Sequence, residues 1–363
     1  MHTFRLLTVV GALALVVGAC GEDDPADTPE VGAEEPQDAP ADPGDTVTLL
    51  THDSFDVSED VLAAFTQRTG IEVAIVPLGD AGTALNQSIL TSDAPQGDVL
   101  FGVDTSFLSR ALDADLFLTY ESPGLADVDP RFILDPEHRA TPITYGDVCL
   151  NYDVAHFTDS GLDVPQDLAD LADPAYAGLL AVMNPATSSP GLSFLLATID
   201  RFGEDGYLGF WEDLVANDVV VTDGWSEAYY DEFSGTGGGD RPLVVSYASS
   251  PPAEVLFADP QPDEPPTGVI EASCFRQVEF AGILAGTPRQ AAAELLIDFL
   301  LGIEFQEDLP LTMFVFPVNN RAQLPDVFAE HAVIPDAPLE LDPTIIGERR
   351  EAWIAAWTNT VLR

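Results

Sequence analysis

From residue 46 onward the chain alternates between two hydrophobic periods. Short β-branched or apolar runs at 46–50, 71–78, 98–101, 141–152, 179–183, 219–222, 242–247, 278–285 and 312–317 read as strands, the one at 71–78 as a buried strand. Between them, apolar residues recur three and four apart at 57–68 (Val61, Leu62, Phe65), 80–90, 105–112, 192–202, 207–216, 224–233 and 288–301, which read as helices. A last helix is expected at 344–362, carrying Trp353 and Trp357. Gly70 stops the first helix and Asp80 caps the second, while Ser188-Ser189-Pro190 and Ser249-Ser250-Pro251-Pro252 mark helix starts. The glycine-rich 234–240 and the acidic, proline-rich 259–267 read as loops. Repeated strand–helix units imply an α/β fold with a largely parallel sheet covered by helices. Ligands bind such sheets at the carboxyl ends of strands, so the loops at 51–55, 78–83 and 102–105 are the first candidates.

Upstream the pattern changes twice. Residues 6–17 are apolar apart from Thr8 and follow an n-region with one base, Arg5. That run is too short to span a bilayer and reads as a secretory signal at 1–19. The Val17-Gly18-Ala19-Cys20 that ends it resembles a bacterial lipobox, which implies lipidation of Cys20; a plain signal peptide or weak membrane anchor is the alternative. Residues 20–45 then read as an extended, disordered tether. From 21 to 45 they hold ten acids, five prolines, no base and no aromatic, too little apolar surface to offset the entropy of ordering. The expected location is the outer face of the cytoplasmic membrane, with acyl chains at Cys20 as the anchor.

Charge narrows the partners. The chain has net charge −49 at pH 7, and all 13 of its basic residues are arginine. Residues 46–363 keep 52 acids against 12 arginines, a net charge of about −40. Nucleic acid is excluded as a partner, because it requires clustered cations. Cationic ligands are favoured through long-range attraction, although plain surface solvation or a salty habitat explains the same composition. With Cys20 lipidated, Cys149 and Cys274 remain. Both lie in strand-like runs in an oxidising setting and can form one disulfide; a reactive thiol at Cys149 is the competing reading. The five histidines are scattered and no cluster has zinc spacing, so no metal is expected. No Gly-x-Ser-x-Gly elbow, P-loop or dinucleotide fingerprint is present. Polar and aromatic residues gather instead at strand ends and helix starts, as a cleft for a small polar ligand needs. Asp53 and Asp104, at two such ends, are candidates for that cleft or for helix caps.

Several segments carry a resemblance over about residues 46–363. They are Thr51-His52-Asp53-Ser54-Phe55, Asp80 with Leu85-Asn86, Gly102-Val103-Asp104, Tyr145-Gly146, Thr187-Ser188-Ser189-Pro190-Gly191-Leu192, Ser250-Pro251, Phe316-Pro317-Val318 and Arg350-Glu351-Ala352-Trp353. The most specific is Gly224-Trp225-Ser226-Glu227-Ala228-Tyr229, with Ser246-Tyr247 about twenty residues on. With these the chain resembles the thiamine-binding components of bacterial ABC importers, within the type II periplasmic binding proteins. The resemblance implies a two-lobed fold with a cleft: one lobe at 46–142 plus about 276–330, the other at 143–275, and a C-terminal helical segment at 331–363. It implies a thiamine-like ligand, an ABC permease as partner, a monomer, and no cofactor. Trp225, Ser188 and the Asp80-Ala81 turn would lie toward a phosphate end, and Tyr247 and Phe314 against the rings. His52 aligns with a family Tyr, and Asp147 is a candidate from its place on a strand expected to cross between the lobes. The chain departs from the family where Ala253 replaces a Tyr, Phe314 a Trp, Ala81 a glycine, and where 56–59 lacks a Trp.

Three functions follow as expectations. The first is a lipid-anchored protein that closes on thiamine or a thiamine phosphate and delivers it to a permease, without catalysis. The second is an enzyme similar to thiaminase, with Cys149 as nucleophile, which a disulfide would exclude. The third is a binding protein for ferric iron or a polyamine. Tyr229-Tyr230 resembles the adjacent tyrosines of ferric-binding relatives, but on an α-helix only one would face the cleft squarely.

Overall fold

The computed structural model describes residues 46–236 and 238–362. The expected signal, the tether and Cys20 lie outside them. In chain order the elements are β1 (Thr46–Thr51), α1 (Glu59–Thr69), β2 (Glu72–Pro77), α2 (Ala81–Leu90), β3 (Val99–Asp104), α3 (Leu108–Asp113), β4 (Thr141–Asp153) and α4 (Val154–Ser160). They continue with β5 (Leu180–Met183), α5 (Ser189–Phe202), α6 (Tyr207–Ala216), β6 (Val220–Thr222), a π-helical turn (Glu227–Glu232), β7 (Leu243–Tyr247) and α7 (Pro251–Leu256). The chain then forms β8 (Thr267–Ile283), α8 (Gln290–Leu300), α9 (Ile303–Thr312), β9 (Phe316–Pro317), α10 (Asp326–His331) and α11 (Pro343–Val361).

The strands form one mixed sheet in the order β2-β1-β3-β8-β4-β7-β5-β6, with β9 beside β4. Two parallel groups, β2-β1-β3 and β7-β5-β6, flank a central antiparallel pair. That pair, β4 and β8, runs through both lobes. The expectation of a largely parallel sheet thus holds within each flank and fails at the centre, where two long strands pair antiparallel from Thr141↔Ala281 to Asp153↔Thr267, with register shifts at Pro142/Thr144 and Val148/Leu150. Helices α2 and α8 pack on the first lobe's strands, and α5 packs on β4, β5, β7 and β8. Leu49, Phe101, Leu196, Val244 and Phe280 are among the fully buried core; each such side chain stabilises by roughly 1.5–3 kcal/mol. Helix α11 packs on both α3 and α6, with Trp357 edge-on to Trp211 at 5.4 Å.

Several elements depart from the sequence pattern. β2 is an edge strand, half exposed rather than buried, because only β1 pairs with it. The segment expected to be an α-helix at 224–233 winds as a π-turn, closed by a Phe233 N–H to Ala228 O bond at 3.1 Å. Residues 303–312 are helical, so only Phe316–Pro317 remains of the strand expected at 312–317. Cys149 and Cys274 are fully buried and joined by a disulfide that links β4 to β8. The pairing leaves no thiolate at Cys149, which removes the thiaminase-like nucleophile.

Candidate functional site

Strand ends and helix starts converge on a cavity of about 450 Å³. The loop after β1 contributes His52, Asp53, Ser54, Phe55 and Asp56, and the start of α2 contributes Asp80 and Ala81. The central strands contribute Thr144 and Gly146 from β4, and Gln277 and Glu279 from β8. The second lobe adds Ser189 and Pro190 at the start of α5, the 225–230 turn, Tyr247 at the end of β7, and Ser250, Ala253 and Phe257 around α7. Residues 312–315 complete the wall.

Asp80 ties the two sides together. It caps α2 by accepting the Ala81 N–H at 2.7 Å through Oδ1. The same oxygen accepts the Ser189 N–H at 3.1 Å, and Oδ2 accepts the Trp225 N–H at 3.0 Å. Burial pushes its carboxyl above the usual carboxylate range, against the lowering effect of those N–H bonds. Beside it, Ser54 and Ser226 hydroxyls meet at 3.2 Å, and the Thr83 N–H donates to Thr187 O at 3.2 Å. Gly82 permits this approach: a Cβ there would stand 2.6 Å from Thr187 O.

The aromatic wall is built around Trp225. Its ring stacks on Tyr229 at 4.8 Å and 18°, and its Nε1 donates to Ser246 Oγ at 2.9 Å. The Tyr229 hydroxyl donates to Glu254 at 3.1 Å. Tyr230 meets Trp225 edge-on at 5.5 Å, and Tyr247 lies 6.5 Å away. Contrary to the α-helical expectation, both Tyr229 and Tyr230 line the cavity. The π-turn changes the angular spacing of adjacent side chains, a deviation common at functional sites.

The floor is electrostatic. His52 Nε2 lies 3.3 Å from Glu279 Oε1, and Thr144 donates to Glu279 Oε2 at 2.9 Å. Burial opposes a charged His52, but the hydrogen bond and charge of Glu279, with Asp80 and Asp53 beyond, raise its pKa above the ordinary value. The imidazole packs over Gly102, whose φ of 105° and missing Cβ leave the space it fills. Glu279, Asp80 and Asp53 thus act on one imidazole, Asp56 lines the same cavity, and no arginine is among the described lining residues. Such a site suits a flat ligand bearing positive charge.

Of the residues expected from sequence, His52, Asp53, Asp80, Ala81, Trp225, Tyr247 and Phe314 come together here. Three do not. Asp104 is fully buried behind the wall, accepting from Ser106 N, Ser106 Oγ and Phe107 N and from the Gln277 amide. It caps the turn into α3, and burial pushes its carboxyl up to about 6. Asp147 points to the opposite face of β4 from Thr144 and Gly146, as the strand's period of two dictates; its Oδ1 accepts from Arg276 Nε at 2.6 Å. Ser188 is buried as the cap of α5, accepting the Gly191 N–H at 3.4 Å, and its neighbours Ser189 and Pro190 line the cavity instead. Sequence reasoning missed Glu279, Gln277 and Phe257. Gln277 and Glu279 were legible as alternate polar positions next to and within an apolar run.

Residues 95–334 match the family described as "Bacterial extracellular solute-binding protein". The thiamine-binding periplasmic protein of Escherichia coli (strain K12) is 29% identical over 323 residues, covering 87% of this chain and 94% of that one. A solved periplasmic thiamin binding protein superposes with a TM-score of 0.77 at 27% identity, over 88% of this chain and 96% of that one. Iron-bound HitA from Pseudomonas aeruginosa superposes at 0.68 and 21% identity, over 87% and 99%, which shows a shared fold. The two-lobed architecture is therefore the type II periplasmic binding protein fold, and the family is one of binding proteins for ABC importers rather than enzymes. By the extent of the match, this chain belongs to the bacterial extracellular solute-binding protein family.

Proposed function

We propose that the chain binds thiamine, or one of its phosphate esters, and delivers it to an ABC permease. The observation that carries this reading is the cavity itself: a Trp225–Tyr229 stack beside Tyr247, ringed by Asp53, Asp56, Asp80 and Glu279, with no arginine among the described lining residues. Thiamine is a flat aminopyrimidine joined to a permanently cationic thiazolium. An aromatic face holds such a cation with about 1–2 kcal/mol when water is excluded, and the carboxylates complement its charge. The relatives named for thiamine, at higher identity and TM-score than the iron-bound structure, support the same ligand. Binding needs no covalent step; it needs contacts that both lobes make together, as Asp80 already does with Ser189 and Trp225.

Calorimetric titration of residues 46–363 with thiamine, its monophosphate and its diphosphate tests this. Saturable one-to-one binding of any of the three supports the proposal and ranks the forms; heats of dilution alone overturn it. Anchoring through a lipid on Cys20 is proposed from the sequence. Intact mass of the membrane-extracted protein checks it, since an unmodified Cys20 or a chain cleaved elsewhere would contradict it.

A further inference from the structure

Phe257 is 73% exposed, although it lines the cavity. It follows the last turn of α7, four residues after Ala253, so the two share one helix face. Ala253 presents only a methyl group to the cavity. Core packing does not account for Phe257: its aromatic neighbour is Phe314, edge-on at 5.6 Å and 68°.

Phe314 is itself unusual. It is a non-glycine residue with φ of +54°, a conformation that costs free energy and persists only where surroundings enforce it. The enforcement is visible. The Phe314 N–H donates to Leu309 O at 3.0 Å, and the Ser249 hydroxyl donates to Phe314 O at 2.6 Å. Strain held by two hydrogen bonds thus presents one ring to the cavity, and a second ring stands exposed against it. Tyr230, 56% exposed, lines the same cavity.

We propose that Phe257 is a ligand-binding residue: with Phe314 it forms an aromatic clamp that closes on the cationic ring of the ligand and loses its solvent exposure on binding. The proposal rests on the thiamine reading above and adds a residue to it. The edge-on pair leaves a ring face of Phe257 for the ligand, and cation–π attraction strengthens as water is excluded. The nearby carboxylates set the sign of charge, and the clamp supplies the flat surface.

The test is a set of thiamine titrations on the wild type, Phe257→Ala, Phe257→Leu and Phe257→Tyr, with Leu90→Ala as an exposed control outside the cavity. Because Phe257 is exposed, all variants are expected to melt with the wild type. Phe257→Ala and Phe257→Leu are expected to weaken thiamine by roughly tenfold, the scale of a partly desolvated cation–π contact. Phe257→Tyr and Leu90→Ala are expected to bind as the wild type does. Unchanged affinity in Phe257→Ala overturns the clamp. Unchanged affinity in Phe257→Leu overturns the role of the ring face, since leucine supplies apolar area alone. A wild type that binds no thiamine removes the ligand reading itself, an outcome distinct from a wild type that binds but ignores position 257.

Discussion

The Asp80 carboxylate accepts the main-chain N–H of Trp225 at 3.0 Å, across a sequence separation of 145 residues. One oxygen serves Trp225 while the other serves Ala81 and Ser189, so a single side chain joins the first helix start of the cleft to two segments of the opposite lobe. The contact also aims the Trp225 indole, because it fixes the backbone from which the ring projects.

Removing that carboxylate is predicted to cost both stability and binding. Asp80→Ala leaves the Ser189 and Trp225 N–H groups without their acceptor, at about 1–3 kcal/mol for each group left buried and unpaired. Chemical denaturation reads the first effect and thiamine affinity the second. Asp80→Asn keeps one acceptor oxygen and is expected to fall between the wild type and the alanine variant. Equal stability for all three would mean that the bridge carries no free energy.

Asp104 predicts a pH dependence of stability. Its carboxyl is raised to about 6 in the folded protein by burial, above the unfolded value of 3.8. The folded state therefore binds the proton more tightly than the unfolded state. Stability from this group is greatest at acid pH and falls as pH rises between about 4 and 6, by an amount on the order of 2–3 kcal/mol. Asp104→Asn preserves an acceptor for Ser106 and Phe107 and removes the titration. The difference in denaturation free energy between wild type and variant is expected to change across that window and to be flat above it. A constant difference from pH 4 to 7 would contradict the assignment.

The cleft floor predicts a pH dependence of binding in the opposite sense. Asp80 and His52 both have raised pKa values. As pH rises, Asp80 gains negative charge and His52 then loses positive charge, so a cationic ligand is held more tightly. Thiamine affinity is expected to increase as pH rises through the titration of His52, which lies above its ordinary value of 6.5, and His52→Gln is expected to remove that part of the rise. Affinity that falls over the range would show that the imidazolium assists binding.

Gly102 predicts a coupled loss. Its φ of 105° strains any other residue, and a Cβ would meet His52 Cδ2 at 2.6 Å. Gly102→Ala is expected to destabilise by roughly 1–3 kcal/mol and to weaken ligand binding through displacement of His52 from Glu279. A variant with wild-type affinity would separate the His52–Glu279 pair from recognition.

The disulfide predicts resistance to alkylation. Cys149 and Cys274 lie 125 residues apart in sequence, and the closed loop restricts the unfolded chain. The double serine variant is expected to lose about 2–5 kcal/mol of stability. Unfolding without reductant should release no thiol from residues 46–363; two free thiols would refute the bridge.

Much of this fold was legible because local signals agreed with it. Ser188 before Ser189-Pro190 and Asp80 before Ala81 cap helices as their side chains suggest. The pattern failed where tertiary pairing overrides local preference. β8 carries polar and charged residues such as Arg276 and Gln277 ahead of its apolar run, and they are strand because β4 pairs with β8 on both sides of an irregularity at Val148/Leu150. Helix α9 contains Pro310, which masks its helical period. In the site, Trp225 and Tyr247 stood out through the resemblance, in its most specific segments. Asp147 misled because its strand is right but its face is wrong, a one-residue question of register that only the pairing Asp147↔Arg276 resolves. Phe257 ends a short helix just before the 259–267 loop, among residues to which the sequence pattern assigns no element.

The central claim is tested most directly by tryptophan fluorescence on residues 46–363 titrated with thiamine, with ferric citrate and spermidine as competing ligands. Trp225 stands in the cavity wall, so a bound thiazolium should change its emission. The expected result is saturable, submicromolar quenching by thiamine that neither competitor reverses and that Trp225→Ala abolishes. Absence of any response to thiamine, with a saturable response to ferric citrate or spermidine, would contradict the account.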